Sequence, residues 1–312
     1  MAKIGFVFPG QGSQTVGMGK DLFENIEQAK DKFNTAKEIL GFDLSEICFN
    51  GPIENLTETS VAQPALFTVS AILSDELKKS RVYPEVVAGH SLGEYSALYA
   101  AEVFDFKTGL ELVKNRALAM KNATEKTKGS MAAIIGLADE DVIAVCEEAS
   151  KSGIINIANI NSPGQTVISG EMSSLAKAME LAKEKGAKRA IELPVSGAFH
   201  SPLMKLAQDD LKDIILNSQM NSPKAKIIQN VSADYSNNTD DIKKLLLEQI
   251  TGSVRWVESI NRMIGDGVNY IVEVGSGKVL SGLIKRIDNS INLNNVENLE
   301  TLKSTIEEIQ KL

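Results

Sequence analysis

The chain carries only two histidines among its 312 residues, and both fall in segments whose neighbours suit acyl chemistry. His90 precedes a serine in Gly89-His90-Ser91-Leu92-Gly93, and His200 sits in Gly197-Ala198-Phe199-His200-Ser201-Pro202. The first segment has the G-x-S-x-G form. In that form a serine stands on a tight turn between a strand and a helix, with its hydroxyl exposed and the N–H of the next residue, here Leu92, available to an oxyanion. Ser91 is therefore the expected nucleophile. It needs a base, and at neutral pH histidine is the usual one. His90 is adjacent on the incoming strand and should point away, which leaves His200.

Arg116 is the next informative residue. In the helix expected from Lys107 to about Asn122, the polar stripe runs through Lys107, Glu111, Lys114 and Lys121, whereas the neighbours of Arg116 three and four residues away are Leu112, Val113, Ala119 and Met120. A guanidinium on that apolar side must be paired or face a cavity, because an unpaired buried charge is destabilising. It is either a structural ion pair or a bidentate fork for a substrate carboxylate. The loop Gly10-Gln11-Gly12-Ser13-Gln14 matches neither a Walker loop nor the dinucleotide glycine spacing. It either offers a backbone N–H to an oxyanion or is a plain turn. Two histidines and two distant cysteines give no metal-ligand spacing, so no metal is expected.

These residues need a scaffold. Ile4–Phe8 and Val86–Ala88 read as buried strands, each closed by a glycine-containing turn. Helical patterns cover Leu22–Leu40, Ala65–Lys79 after a Gln63-Pro64 turn, and Leu92–Ala101. Buried strands alternating with helices predict an α/β fold with a largely parallel sheet, whose ligands bind beyond the carboxyl ends of the strands. From Ser130 the order changes. Strands at Met131–Gly136, Ile154–Ile160, Gln165–Gly170 and Ala190–Leu193, with helices at Asp139–Lys151 and Ser173–Lys185, read as βαββαβ, a ferredoxin-like insertion. Ser201-Pro202 then starts a helix. Ile227–Val231 and Tyr270–Val274 read as later strands and Glu297–Leu312 as a terminal helix, while Asn289–Asn298 is merely asparagine-rich. The expected division is a large domain of residues 1–128 and 197–312, with a small one of 129–196.

Composition narrows the function. With 43% apolar residues and a formal charge of −8, the chain reads as a globular enzyme and not as a nucleic-acid binder. Cys48 and Cys146 read as buried, reduced thiols. The apolar start is stopped by Pro9-Gly10, and no stretch reaches membrane-spanning length, which predicts a cytoplasmic protein without membrane attachment.

Taken together, Phe8-Pro9-Gly10-Gln11-Gly12-Ser13-Gln14, Gln63-Pro64-Ala65-Leu66, Gly89-His90-Ser91-Leu92-Gly93-Glu94, Arg116, Gly197-Ala198-Phe199-His200-Ser201 and Glu273-Val274-Gly275-Ser276-Gly277-Lys278-Val279-Leu280 occur in order and resemble the malonyl-CoA:acyl carrier protein transacylase family. The resemblance spans essentially the whole chain. It implies a large α/β hydrolase-like domain with a ferredoxin-like insertion. It also implies transfer of malonyl from malonyl-CoA to acyl carrier protein in fatty acid biosynthesis, without a cofactor. Ser91 would be the nucleophile, His200 the base, and the N–H groups of Gln11 and Leu92 the oxyanion hole. Arg116 would clamp the malonyl carboxylate, Gln63 would line the pocket, and Gln249 would orient the histidine through its main-chain carbonyl. Ala198-Phe199-His200 resembles the malonyl-selective form of related polyketide domains, in which Phe199 is the discriminating position. Docking of an acidic carrier protein on an acidic enzyme calls for a local basic patch, for which Lys185, Lys188, Arg189, Lys285 and Arg286 are available.

Three other functions compete with this one. A trans-acting polyketide acyltransferase has almost the same chemistry. A serine esterase or thioesterase of this fold would need an acidic triad member between serine and histidine, where Asp139, Glu171 and Glu192 lie. A non-catalytic carrier-binding module would form no acyl adduct.

Overall fold

In the computed structural model, residues 2–236 and 238–312 are described, and they form two sheets with helices packed against them. The strands are β1 (Ile4–Phe8), β2 (Val86–Gly89), β3 (Gly129–Ile135), β4 (Ile155–Ser162), β5 (Gln165–Glu171), β6 (Arg189–Glu192), β7 (Lys226–Ile228), β8 (Tyr235–Ser236), β9 (Tyr270–Val274) and β10 (Asn292–Val296). The larger sheet runs β10-β9-β1-β2-β7-β8 and is parallel except for the β7–β8 pair. Phe6, Val7 and Phe8 are wholly buried, as are Val86, Val87 and Ala88. Continuous apolar strands of this kind suit a parallel sheet covered on both faces. With β1 and β2 adjacent at its centre, the loops that follow them meet: a Cβ added to Gly10 would lie 2.4 Å from the carbonyl oxygen of His90.

Four elements depart from the sequence expectation. The Leu22–Leu40 pattern is broken at Ile26, which is extended, giving helices Lys20–Asn25 and Glu27–Leu40. Gln63-Pro64 is not a turn: one helix runs from Thr59 to Lys79 with Pro64 inside it. Every residue from Val61 to Ser74 on that helix is buried, so tertiary packing outweighs the hydrogen bond that proline forfeits. The asparagine-rich tail contains β10, a parallel edge strand beside β9 whose partly exposed residues lack an apolar signature. The terminal helix shortens to Leu299–Ile309, with Asn298 accepting from the Thr301 N–H as its cap.

The smaller sheet is antiparallel throughout, in the order β4-β5-β3-β6. Helices Asp139–Ala149 and Met172–Glu184 share with it a separate apolar cluster that includes Ile134, Val142, Ile168 and Leu175. The edge strand β4 is also tied to the larger part of the molecule, since Val254 donates to the Ala158 carbonyl at 2.8 Å and accepts from Ile160 at 3.0 Å. Cys48 and Cys146 are free and buried, and burial pushes both thiols up to about 12. Among the described residues, no helix is long and apolar enough to cross a membrane.

Candidate active site

The turn after β2 is built from close backbone approaches. A Cβ on Gly89 would lie 1.9 Å from the Gly93 carbonyl, and one on Gly93 would lie 2.0 Å from the Phe8 carbonyl oxygen. Only glycine fits at either place. Ser91, between them, takes a left-handed backbone at φ 53°. The Asn230 side chain closes the turn, accepting from the Ser91 N–H at 2.7 Å and donating to the Gly89 carbonyl at 2.6 Å.

His200 Nε2 lies 2.7 Å from Ser91 Oγ. Its Nδ1 lies 2.9 Å from the Gln249 carbonyl oxygen and 3.1 Å from that of Gly252. Carbonyls only accept, so the proton is on Nδ1 and Nε2 is free to receive the serine proton. Burial, reinforced by the Arg116 charge, pushes His200 down to about 3, and the imidazole is neutral at physiological pH. The acids in the serine–histidine interval lie elsewhere: Asp139 accepts from Thr166 at 2.6 Å, Glu171 from the Ile154 N–H at 3.3 Å, and Glu192 is exposed on β6. His90 points away, its Nε2 2.8 Å from Asn161 Oδ1 and its ring edge-on to Trp256.

Arg116, on the Phe106–Lys126 helix, is 1% exposed. It donates to Gln63 Oε1 at 2.7 Å, to Gln249 Oε1 at 2.9 Å and to Ser91 Oγ at 3.0 Å. Among the described residues no carboxylate forms a salt bridge with it. A structural ion pair is thus not what holds it, and its guanidinium lies beside the Ser91 hydroxyl. Gln249 does more than the expected carbonyl contact, because its amide also donates to the Ser91 carbonyl at 2.9 Å and to Glu94 Oε2 at 3.1 Å.

Glu94 had no role in the sequence reading. It is fully buried three residues after Ser91 and accepts from the Asn230 N–H at 2.9 Å. Burial pushes it up to about 7, opposed by those hydrogen bonds and by Arg116. The available signal was a lone carboxylate in a helix of small and apolar residues. Asn230 and Gly252 gave no comparable signal.

A cleft of about 400 Å³ opens over these groups, lined by Gln11, Gln63, Ser91, Leu92, Arg116, Phe199 and His200 from one side and by Asn159, Asn161 and Val167 from the smaller sheet. The N–H groups of Gln11 and Leu92 are taken by no acceptor among the described residues. Of the basic candidates, three lie at one end of the smaller sheet, around Ile135. Lys188 packs on Gly136, Arg189 stands opposite Ile135, and Arg286 donates to Gln165, which also pairs with Ile135. Lys185 is paired with Asp141 at 3.5 Å.

Known proteins repeat this arrangement of chain and fold. The acyl transferase domain family matches residues 5–302. Malonyl CoA-acyl carrier protein transacylase of Bacillus subtilis is 45% identical over 312 residues, covering 100% of this chain and 98% of that protein. The enzyme of the same name from Haemophilus influenzae is 43% identical over 92% of this chain and 93% of its own. The crystal structure of an acyl carrier protein S-malonyltransferase from Vibrio cholerae superposes with a TM-score of 0.94 at 41% identity, covering 97% of this chain and 100% of that one. A malonyl-transacylase in complex with its type II polyketide synthase acyl-carrier protein gives 0.95 at 37% identity, over 98% and 100%. The family match over residues 5–302, with relatives 43–45% identical over nearly the whole chain, makes this chain a member of the acyl transferase domain family and of its malonyl CoA-acyl carrier protein transacylases.

Proposed function

We propose that the chain is a malonyl-CoA:acyl carrier protein S-malonyltransferase (EC 2.3.1.39) that works by ping-pong transfer through a malonyl ester of Ser91 and supplies chain-extender units for fatty acid biosynthesis. The observation that carries this reading is the Arg116 fork, buried, without a carboxylate partner, and 3.0 Å from the nucleophile. Neutral acyl groups have no use for it; a malonyl carboxylate does.

In the first half-reaction Ser91 Oγ attacks the thioester carbon while His200 Nε2 takes its proton. The developing oxyanion is received by the N–H groups of Gln11 and Leu92, and Arg116, steadied by Gln63 and Gln249, holds the carboxylate. Collapse expels coenzyme A, protonated by His200. The phosphopantetheine thiol of acyl carrier protein then attacks the ester with His200 again as base. Thioester replaces thioester, so the exchange is nearly thermoneutral and runs both ways. No cofactor or metal enters it, and the setting is cytoplasmic. Phe199, 6% exposed on the cleft wall, limits bulk beside the malonyl methylene.

The finer fold reading is a hydrolase-like domain of residues 1–128 and 197–312 with a ferredoxin-like domain of 129–196. It is supported by the β4-β5-β3-β6 order and the separate apolar cluster beneath it. The end of the smaller sheet bearing Lys188, Arg189 and Arg286 is the proposed docking patch for the acidic carrier protein.

Intact-protein mass spectrometry after mixing with malonyl-CoA tests the function. The expected result is one malonyl adduct on Ser91 that survives in water and discharges to holo acyl carrier protein. No adduct would leave only a binding module, and loss to water would indicate a thioesterase. The polyketide alternative draws on the likeness to the transacylase complexed with a polyketide carrier; discharge to a polyketide carrier but not to a fatty acid one would select it.

A further inference from the structure

Strand β4 carries three asparagines, Asn156, Asn159 and Asn161, and its edge faces the catalytic groups. Asn156 Nδ2 donates to the carbonyl oxygen of His200 at 2.8 Å. That carbonyl belongs to a non-glycine residue at φ 57°, a left-handed conformation that persists only where its surroundings enforce it. A second line of contact reaches the imidazole itself. Ser253 Oγ donates to the Ile157 carbonyl and Val254 bridges Ala158 and Ile160, which fixes the chain directly after Gly252, one of the two carbonyls that accept from His200 Nδ1. The same strand also holds the other histidine, through Asn161.

We propose that β4 is a jig for the general base, with Asn156 a positioning residue that holds the His200 backbone so that its ring spans Ser91 and the two carbonyls. The smaller sheet then takes part in catalysis as well as covering the cleft. The inference rests on the proposed role of His200 as base.

The test uses Asn156→Ala and Asn156→Asp in the full-length enzyme. Aspartate is nearly isosteric but cannot donate, so it serves if the alanine variant folds poorly; thermal melts establish folding for both. Misplacing a reacting group by about 1 Å lowers rates about 100-fold, so kcat should fall roughly 10- to 100-fold while KM for malonyl-CoA stays within about twofold. With two histidines in the chain, ¹⁵N-histidine NMR resolves each ring. The His200 Nδ1–H signal should shift or broaden in both variants while that of His90 stays in place. In a His200→Ala background, Asn156→Ala should cause no further loss of acylation rate, because the two act as a unit. Unchanged kcat and an unchanged His200 signal in both variants would overturn the proposal, as would an undiminished further loss in the His200→Ala background. A His200→Ala enzyme that acylates at the wild-type rate would instead remove the base assignment beneath it.

Discussion

The turn at Ser91 and the loop at His200 each hold a non-glycine residue in the left-handed region, at φ 53° and φ 57°. They are held by different physics. Around Ser91 the backbone is wedged: Gly89, Gly93 and Gly10 admit approaches that any side chain would block. Around His200 the backbone is tethered by a hydrogen bond from Asn156 on one sheet, and the ring by bonds to the carbonyls of Gln249 and Gly252. Steric wedging tolerates the loss of a single polar contact, whereas a tether is only as good as each of its bonds. Arg116, Gln249 and Glu94 lie between the two regions and connect them.

The largest effects should separate the two regions outright. Ser91→Ala should abolish malonyl-ester formation, while His200→Ala should leave slow formation, since the oxyanion hole and binding alone retain roughly 10³-fold catalysis over water. Burst kinetics with malonyl-CoA measure both. Because the His200 pKa is depressed, its base form persists as pH falls through 6.5, and kcat/KM should not decline there on its account. A limb near pH 6.5 that disappears in a variant retaining the His200→Ala residual rate would show a solvated base loop.

Next is the clamp. Arg116→Ala should lower kcat/KM for malonyl-CoA by about 30- to 1000-fold, or roughly 2 to 4 kcal/mol, without harming acetyl-CoA, and Arg116→Lys should recover little because an ammonium cannot form the fork. Equal losses for both thioesters would make Arg116 a support for the turn.

Glu94→Gln tests the connection through stability. The carboxyl is raised from 4.5 to about 7 in the folded protein. Its stabilising contribution is therefore full below about pH 4.5 and is lost as pH rises through 7, by roughly 3 kcal/mol. Glutamine can keep both accepted hydrogen bonds without a charge. The variant should melt higher than wild type at pH 8 and equally at pH 4; a lower melt at pH 8 would mean the charge itself supports Arg116.

The smallest expected effect is at Gln249, which touches both regions. If only its carbonyl mattered, Gln249→Ala would be nearly silent. Its side chain, however, bonds Arg116, Ser91 and Glu94, and kcat/KM should drop about tenfold, near 1.4 kcal/mol. A silent variant would return Gln249 to a main-chain role alone.

The same contrast explains what could be read from the residues. Wedged geometry is written in adjacent glycines, so the Ser91 turn, its flanking strand and its helix were legible in the single stretch Val86–Ala100. Arg116 was legible because helical periodicity placed a charge on an apolar face. Tethers are made by residues far apart in the chain, and nothing near Asn156, Asn230 or Gly252 announces a partner. Pro64 misled for a related reason, since its local breaking tendency was outweighed by burial along the whole Thr59–Lys79 helix. β10 went unseen because an edge strand needs no apolar face.

The order β10-β9-β1-β2-β7-β8 also bears on how a newly made chain matures. β1 and β2 are complete once residue 89 has emerged, but β9, which covers the other side of β1, ends at Val274. At about 5–20 residues per second, translation leaves that edge open for roughly ten to forty seconds. During that interval β1, paired with β2 on one side, leaves its other edge open at Phe6 and Val7, while the smaller sheet, whose four strands all lie between Gly129 and Glu192, can already close on itself. Delay in ribosomal elongation past Glu192 should therefore yield a nascent chain with one finished unit and one sticky edge, the state in which chaperones have most to do.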